Sequence, residues 1–176
     1  MPYEYAVFFK LLLLCGDKED MERYLDTALV EQDPLSDIVL ELSLARSDDK
    51  KQLSLLNEYL LQAKDADIDY DRSVFELVMS FLKRKYIEDA MAMKDITNLM
   101  CRIAVHTERY FDEPWFTMYI MSDLFCEIET GLVDKDVYQR KFDAFLYDHI
   151  CCCDYPQAQP KEPFFKRLIK KIRGNR

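Results

Sequence analysis

The chain reads as an all-α protein, a compact multi-helix bundle or an irregular antiparallel helical stack of about seven or eight helices with no sheet. Three observations predict this. Apolar residues recur at steps of three and four through most of the first 150 positions. Only three glycines occur, Gly16, Gly131 and Gly174, which leaves few sites for the positive φ of tight hairpins or phosphate-binding loops. Ser, Asp and Pro stand ahead of the periodic runs, as helix starts require.

Taken in order, residues 3 to 14 form a first buried helix ended by Gly16, and Lys18 to about Val30 form a second. Asp33 followed by Pro34 suggests an N-cap with proline at the first helical position. The helix that follows carries Leu35, Ile38, Val39, Leu42 and Ala45 on one stripe. Ser47, with Asp48 and Asp49 at the positive end of the helix dipole, begins a fourth, with Leu53, Leu56, Tyr59, Leu60 and Ala63 on its apolar face. Ser73 and Glu76 match a capping box ahead of Val74, Phe75, Val78 and Phe81. A sixth helix is expected from Glu88 to Glu108, with Met93, Ile96, Met100, Ile103 and Ala104 as its stripe. Asp112 and Pro114 open WFTMYIMSDLFCEIETG, whose apolar residues cover nearly the whole circumference and suggest the central helix. Gly131 would cap its end. Asp134 caps a last body helix carrying Val137, Tyr138, Phe142, Phe145, Leu146 and Ile150.

A chain of 176 residues and 21.0 kDa fits one domain and buries about 70% of its unfolded surface. Charge divides it further. Residues 161–176, KEPFFKRLIKKIRGNR, hold seven of the 24 basic residues and one of the 33 acidic ones, so this tail stands at +6 and the preceding 160 residues at −15. The expected organisation is an acidic helical domain over 1–155, a Pro-containing linker over 156–160, and a basic amphipathic helix over 161–176 docked on the body. In that helix Lys166, Arg167, Lys170, Lys171 and Arg173 alternate with Phe164, Phe165, Leu168, Ile169 and Ile172 at helical spacing. The N-terminus departs from a secretory signal, because Glu4 stands where a basic lead belongs and Lys10 interrupts the apolar run. Six cysteines without such a signal fit a reducing cytoplasm.

The sharpest chemical spacing is Asp65, Asp67, Asp69, Asp71, Ser73 and Glu76, oxygen side chains at positions 1, 3, 5, 7, 9 and 12 of a twelve-residue segment. It resembles the EF-hand calcium loop. Tyr70 replaces the glycine of the sharp turn, Arg72 replaces an apolar residue, and Ser73 with Glu76 has the alternative capping role, so no metal is favoured. Cys151, Cys152 and Cys153 after His149 are metal-capable. Adjacent cysteines at a helix end point apart, however, and zinc motifs separate theirs. His106 and His149 are the only histidines, and neither adjoins a nucleophile motif. The carboxylate pairs Glu19-Asp20, Asp48-Asp49 and Glu88-Asp89 fit helix starts without acid-base chemistry. The expectation is a non-enzymatic protein without a cofactor.

An acidic body repels nucleic acid and attracts a basic protein, accelerating encounter by electrostatic steering. In size and composition the chain resembles the bacterial immunity proteins that neutralise basic nuclease-type toxins. That resemblance implies tight binding of one basic partner through an acidic and aromatic surface. Tyr70, Tyr110 and Phe111, beside Asp112 and Glu113, are the expected anchors. A helical scaffold or adaptor, or a peripheral membrane protein using the basic tail on anionic lipid, are the alternative readings.

Overall fold

A computed structural model describes residues 1–62 and 70–152. Among these the chain is entirely helical: α1 (Tyr3–Leu14), α2 (Glu19–Glu31), α3 (Asp37–Leu44), α4 (Asp49–Gln62), α5 (Tyr70–Ile87), α6 (Met93–Thr107), α7 (Trp115–Glu129) and α8 (Lys135–Asp148). They form a compact bundle around one contiguous apolar core. No described helix is long and apolar enough to cross a membrane. The expected linker and basic helix lie outside the described residues.

Helix α1 is the centre of this bundle. Its sequence is apolar on almost every side, and Ala6, Val7, Phe8, Phe9, Leu11, Leu12 and Leu13 are all buried because α4, α5 and α6 pack around it. The helix ends in a Schellman turn. Gly16 adopts φ +76, Asp17 N–H donates to the Leu12 carbonyl at 3.0 Å and Gly16 N–H to that of Leu13 at 3.0 Å. A charge from another element completes the end, since the Arg102 guanidinium of α6 donates to the Cys15 carbonyl at 2.6 Å. The expectation that α7 is central is thereby corrected. Helix α7 is covered mainly by α6 and α8, so Trp115, Met118 and Met121 are buried while Phe116 on another side stays exposed.

Other boundaries shift for local reasons. Helix α3 starts after Ser36 and not at Asp33-Pro34, leaving Leu35 to reach the core from the connection. Asp48, one residue beyond the expected Ser47, caps α4 by accepting Lys51 N–H at 3.0 Å. Helix α5 is already formed at Tyr70, so Ser73 and Glu76 are interior positions and make no capping box. Glu76 instead faces Arg72 at 3.8 Å. Helix α6 begins at Met93, five residues after the expected start, because Ala90 takes a left-handed φ of +50 and turns the chain. Glu88 and Asp89 therefore follow the end of α5 and do not open α6. Gly131 at φ +75 follows α7, and the Asp134 carboxylate accepts Asp136 and Val137 N–H, both as expected. Helix α8 stops at Asp148, where His149 turns left-handed, and Ile150 falls outside the stripe and is exposed.

Candidate functional site

The α6–α7 pairing is the most extensive in the bundle, and the connection between these helices, residues 108–114, presents the exposed aromatic expected as an anchor. Its path is fixed by short-range bonds. Glu108 closes α6 at φ +60, Arg109 N–H donates to Thr107 Oγ1 at 3.1 Å, and Asp112 N–H donates to the Arg109 carbonyl at 2.9 Å. Phe116 N–H then joins the Asp112 carbonyl at 2.8 Å as α7 begins.

On this frame Tyr110 rests against Tyr119 of α7 with ring centroids 5.3 Å apart, and Phe111 leans on Tyr110 at 4.2 Å. Tyr110 is half-buried and packed on the core, whereas Phe111 is 77% exposed. An aromatic held by a second aromatic on a helix loses little freedom when a partner covers it, which favours tight association. The exposed carboxylates of Glu108 and Asp112 flank it.

Glu113 has a different task. Its carboxylate accepts both the backbone N–H and the hydroxyl of Thr117, at 3.1 and 3.0 Å, satisfying one of the open donors at the start of α7. The Thr117 hydroxyl in turn accepts Cys152 N–H at 2.9 Å and ties the chain after α8 to the same place. Tyr119 and Thr117 are the contributors that sequence reading missed. Both lie within an apolar helical stripe, and only the fold brings them to the corner.

The remaining expected residues are distributed elsewhere. Tyr70 opens α5, well separated in sequence from the corner, and Asp71 follows it there. Asp65, Asp67 and Asp69, the basic residues Lys166, Arg167, Lys170, Lys171 and Arg173, and Cys153 lie outside the described residues. Among the described residues no group of three or more His, Cys, Asp or Glu side chains is arranged to hold a metal ion. His149 stacks edge-on against Phe75 at 5.5 Å and its Nε2 lies 3.5 Å from the Lys83 ammonium. Partial burial and that neighbouring cation hold its imidazole below the ordinary value. Burial likewise raises the Cys152 thiol, and Cys15, Cys101, Cys126 and Cys152 are free thiols.

The chain matches no protein-family model, no curated protein and no solved structure. The corner of α6 and α7 offers an exposed aromatic stacked on a second ring and set between carboxylates, on a chain of net charge −9.

Proposed function

We propose that the protein is a cytoplasmic, non-enzymatic binding module of the immunity or antitoxin type, which neutralises a basic toxin by covering it directly. The observation that supports this reading is the Phe111–Tyr110–Tyr119 stack, which offers a preordered anchor where carboxylates can meet lysines and arginines. Net negative charge steers a basic partner toward the body, and the aromatic corner then governs how long the partner stays. Glu113 serves as a helix cap and contributes by holding the corner in shape.

The test is retention of partners by the full-length protein, followed by binding kinetics with the purified partner. The expected outcome is a single basic protein whose own toxic activity is abolished at equimolar mixture, with an association rate that falls as salt rises. Phe111→Ala should weaken binding by about 2 kcal/mol, roughly 30-fold and mainly in the dissociation rate. Several unrelated partners would favour the scaffold reading. Retention of anionic lipid in place of protein would favour the membrane reading, and either result would overturn the proposal.

A further inference from the structure

A second surface shares no residue with the α6–α7 corner. Two adjoining depressions of about 430 and 340 Å³ share Tyr5, Leu77 and Ser80 and form one groove along α5, walled by α1 and α2. Its floor is aromatic, with Phe8, Phe9 and Phe81 already buried and Tyr5 and Tyr24 half-buried. Tyr5, Phe9 and Tyr24 meet at 5.3–5.8 Å between centroids, and Phe8 meets Phe81 at 6.1 Å. Leu77 and Ser80 form the more accessible edge. Four carboxylates, Glu4, Asp20, Glu76 and Glu88, border the groove with Arg72 and Arg84, and Arg23 joins Arg84 on Asp20 at 2.6 and 2.7 Å, so the rim carries −1 and its open carboxylates are Glu4, Glu76 and Glu88.

The groove follows α5 from Arg72 to Arg84, about 18 Å at 1.5 Å per residue, and continues to Glu88 just past the helix end. Residues 163–173, formed into the helix their pattern predicts, would be about 16 Å long, with Phe164, Phe165, Leu168, Ile169 and Ile172 on one side and Lys and Arg flanking them. Length, apolar face and charge sign therefore match. The chain also reaches. Phe75 and Lys83 of α5 meet His149 just before Cys152, and Leu77 and Arg84 stand roughly 180–200° round α5 from Phe75. Passing half-way round a helix 10–12 Å across takes about 17 Å. The eight residues 153–160 span up to about 26 Å.

We propose that the groove between α1, α2 and α5 is the docking site of this chain's own basic segment, residues 161–176. The apolar face of the segment covers Leu77, Tyr5 and Tyr24, and its lysines and arginines meet Glu4, Glu76 and Glu88.

The full-length protein, mixed with an isotopically heavy copy, is treated with a zero-length reagent that joins carboxylates to amines, and the linked peptides are identified by mass spectrometry. Links from Lys166, Lys170 or Lys171 to Glu4, Glu76 or Glu88, within one chain, are expected. They should be lost in Ile169→Asp, which leaves the body sequence unchanged, and in Ser80→Arg, a change at an exposed position. Links spread over distant carboxylates such as Asp123 and Glu127 and insensitive to Ile169→Asp would overturn the proposal, as the signature of a segment drawn by charge alone. Links between light and heavy chains would assign the groove to a second copy and overturn it too, as would an absence of links from the segment.

Discussion

At Ala90 the backbone is left-handed with φ +50, a conformation that costs a residue bearing a Cβ about 1 kcal/mol. Met91 N–H donates to the Lys85 carbonyl at 3.0 Å across this turn, a bond one residue wider than that of a Schellman ending, and glycine is the residue that takes such a left-handed φ without strain. Ala90→Gly should therefore stabilise the protein by about 1 kcal/mol, read as a rise of about 2–4 °C in thermal midpoint. Glu108 and His149 likewise take a left-handed φ, +60 and +58, where α6 and α8 end. Three glycines were read as a shortage of positive-φ sites, yet alanine, glutamate and histidine take three of them, and the missing glycine signal at Ala90 is why α6 was expected five residues early. Thiols give a second test at this scale. Burial pushes the Cys15 thiol up to about 11, from an ordinary 9.0, while Cys126 is exposed. A disulfide reagent at pH 8 should modify Cys126 rapidly and Cys15 only on unfolding. Because the unfolded thiol ionises near 9 and the folded one near 11, Cys15 withdraws stability as pH rises through that interval.

Between elements, the end of α5 is clamped to the start of α2. The Lys85 ammonium, 10% exposed, lies 3.1 Å from both Asp17 and Glu19 and 3.3 Å from Asp89, and Arg84 lies 2.7 Å from Asp20. Burial alone would lower the affinity of Lys85 for its proton, but the hydrogen bonds it donates to the Asp17 and Glu19 carboxylates outweigh it and raise the group above its ordinary value. Lys85→Met, which keeps most of the apolar stem, should cost about 2 kcal/mol in chemical denaturation at neutral pH. A raised folded-state value means that the contribution is complete below the ordinary lysine value of 10.5 and is lost only as pH climbs through the higher folded one. The gap between wild type and Lys85→Met should accordingly stay level from pH 7 to 10 and narrow above. Acidic residues at the start of α2 were legible as dipole partners, because that rule acts within one helix. Their pairing with a lysine 66 positions away was not, because only the tertiary fold sets that distance. The aromatic corner divides in the same way. Phe111 was visible as an aromatic in a loop, while Tyr119, which supports it, was indistinguishable from the other apolar residues of α7.

Across the molecule, one core joins all eight described helices, with Trp115 buried against Phe75 at 5.4 Å where α5 meets α7. Tryptophan fluorescence, which reports on that junction, and far-ultraviolet circular dichroism, which reports on every helix, should give the same denaturation midpoint. Separate midpoints would mean that the α6–α8 side melts apart from the rest. Fold class was readable because 3.6-residue periodicity is a local property repeated eight times. The central element was mistaken because all-round hydrophobicity occurs in both α1 and α7, and only packing decides which is enclosed. That α1 is the one enclosed affects how the chain must be made. Tyr3–Leu14 leaves the ribosome before its covering surfaces, which belong to α4, α5 and α6, the last complete only at Thr107. A nascent chain interrupted before α6 therefore carries a bare strip of phenylalanine and leucine. Chaperones that shelter such strips, more than the acidic composition of the finished protein, then govern its yield during translation.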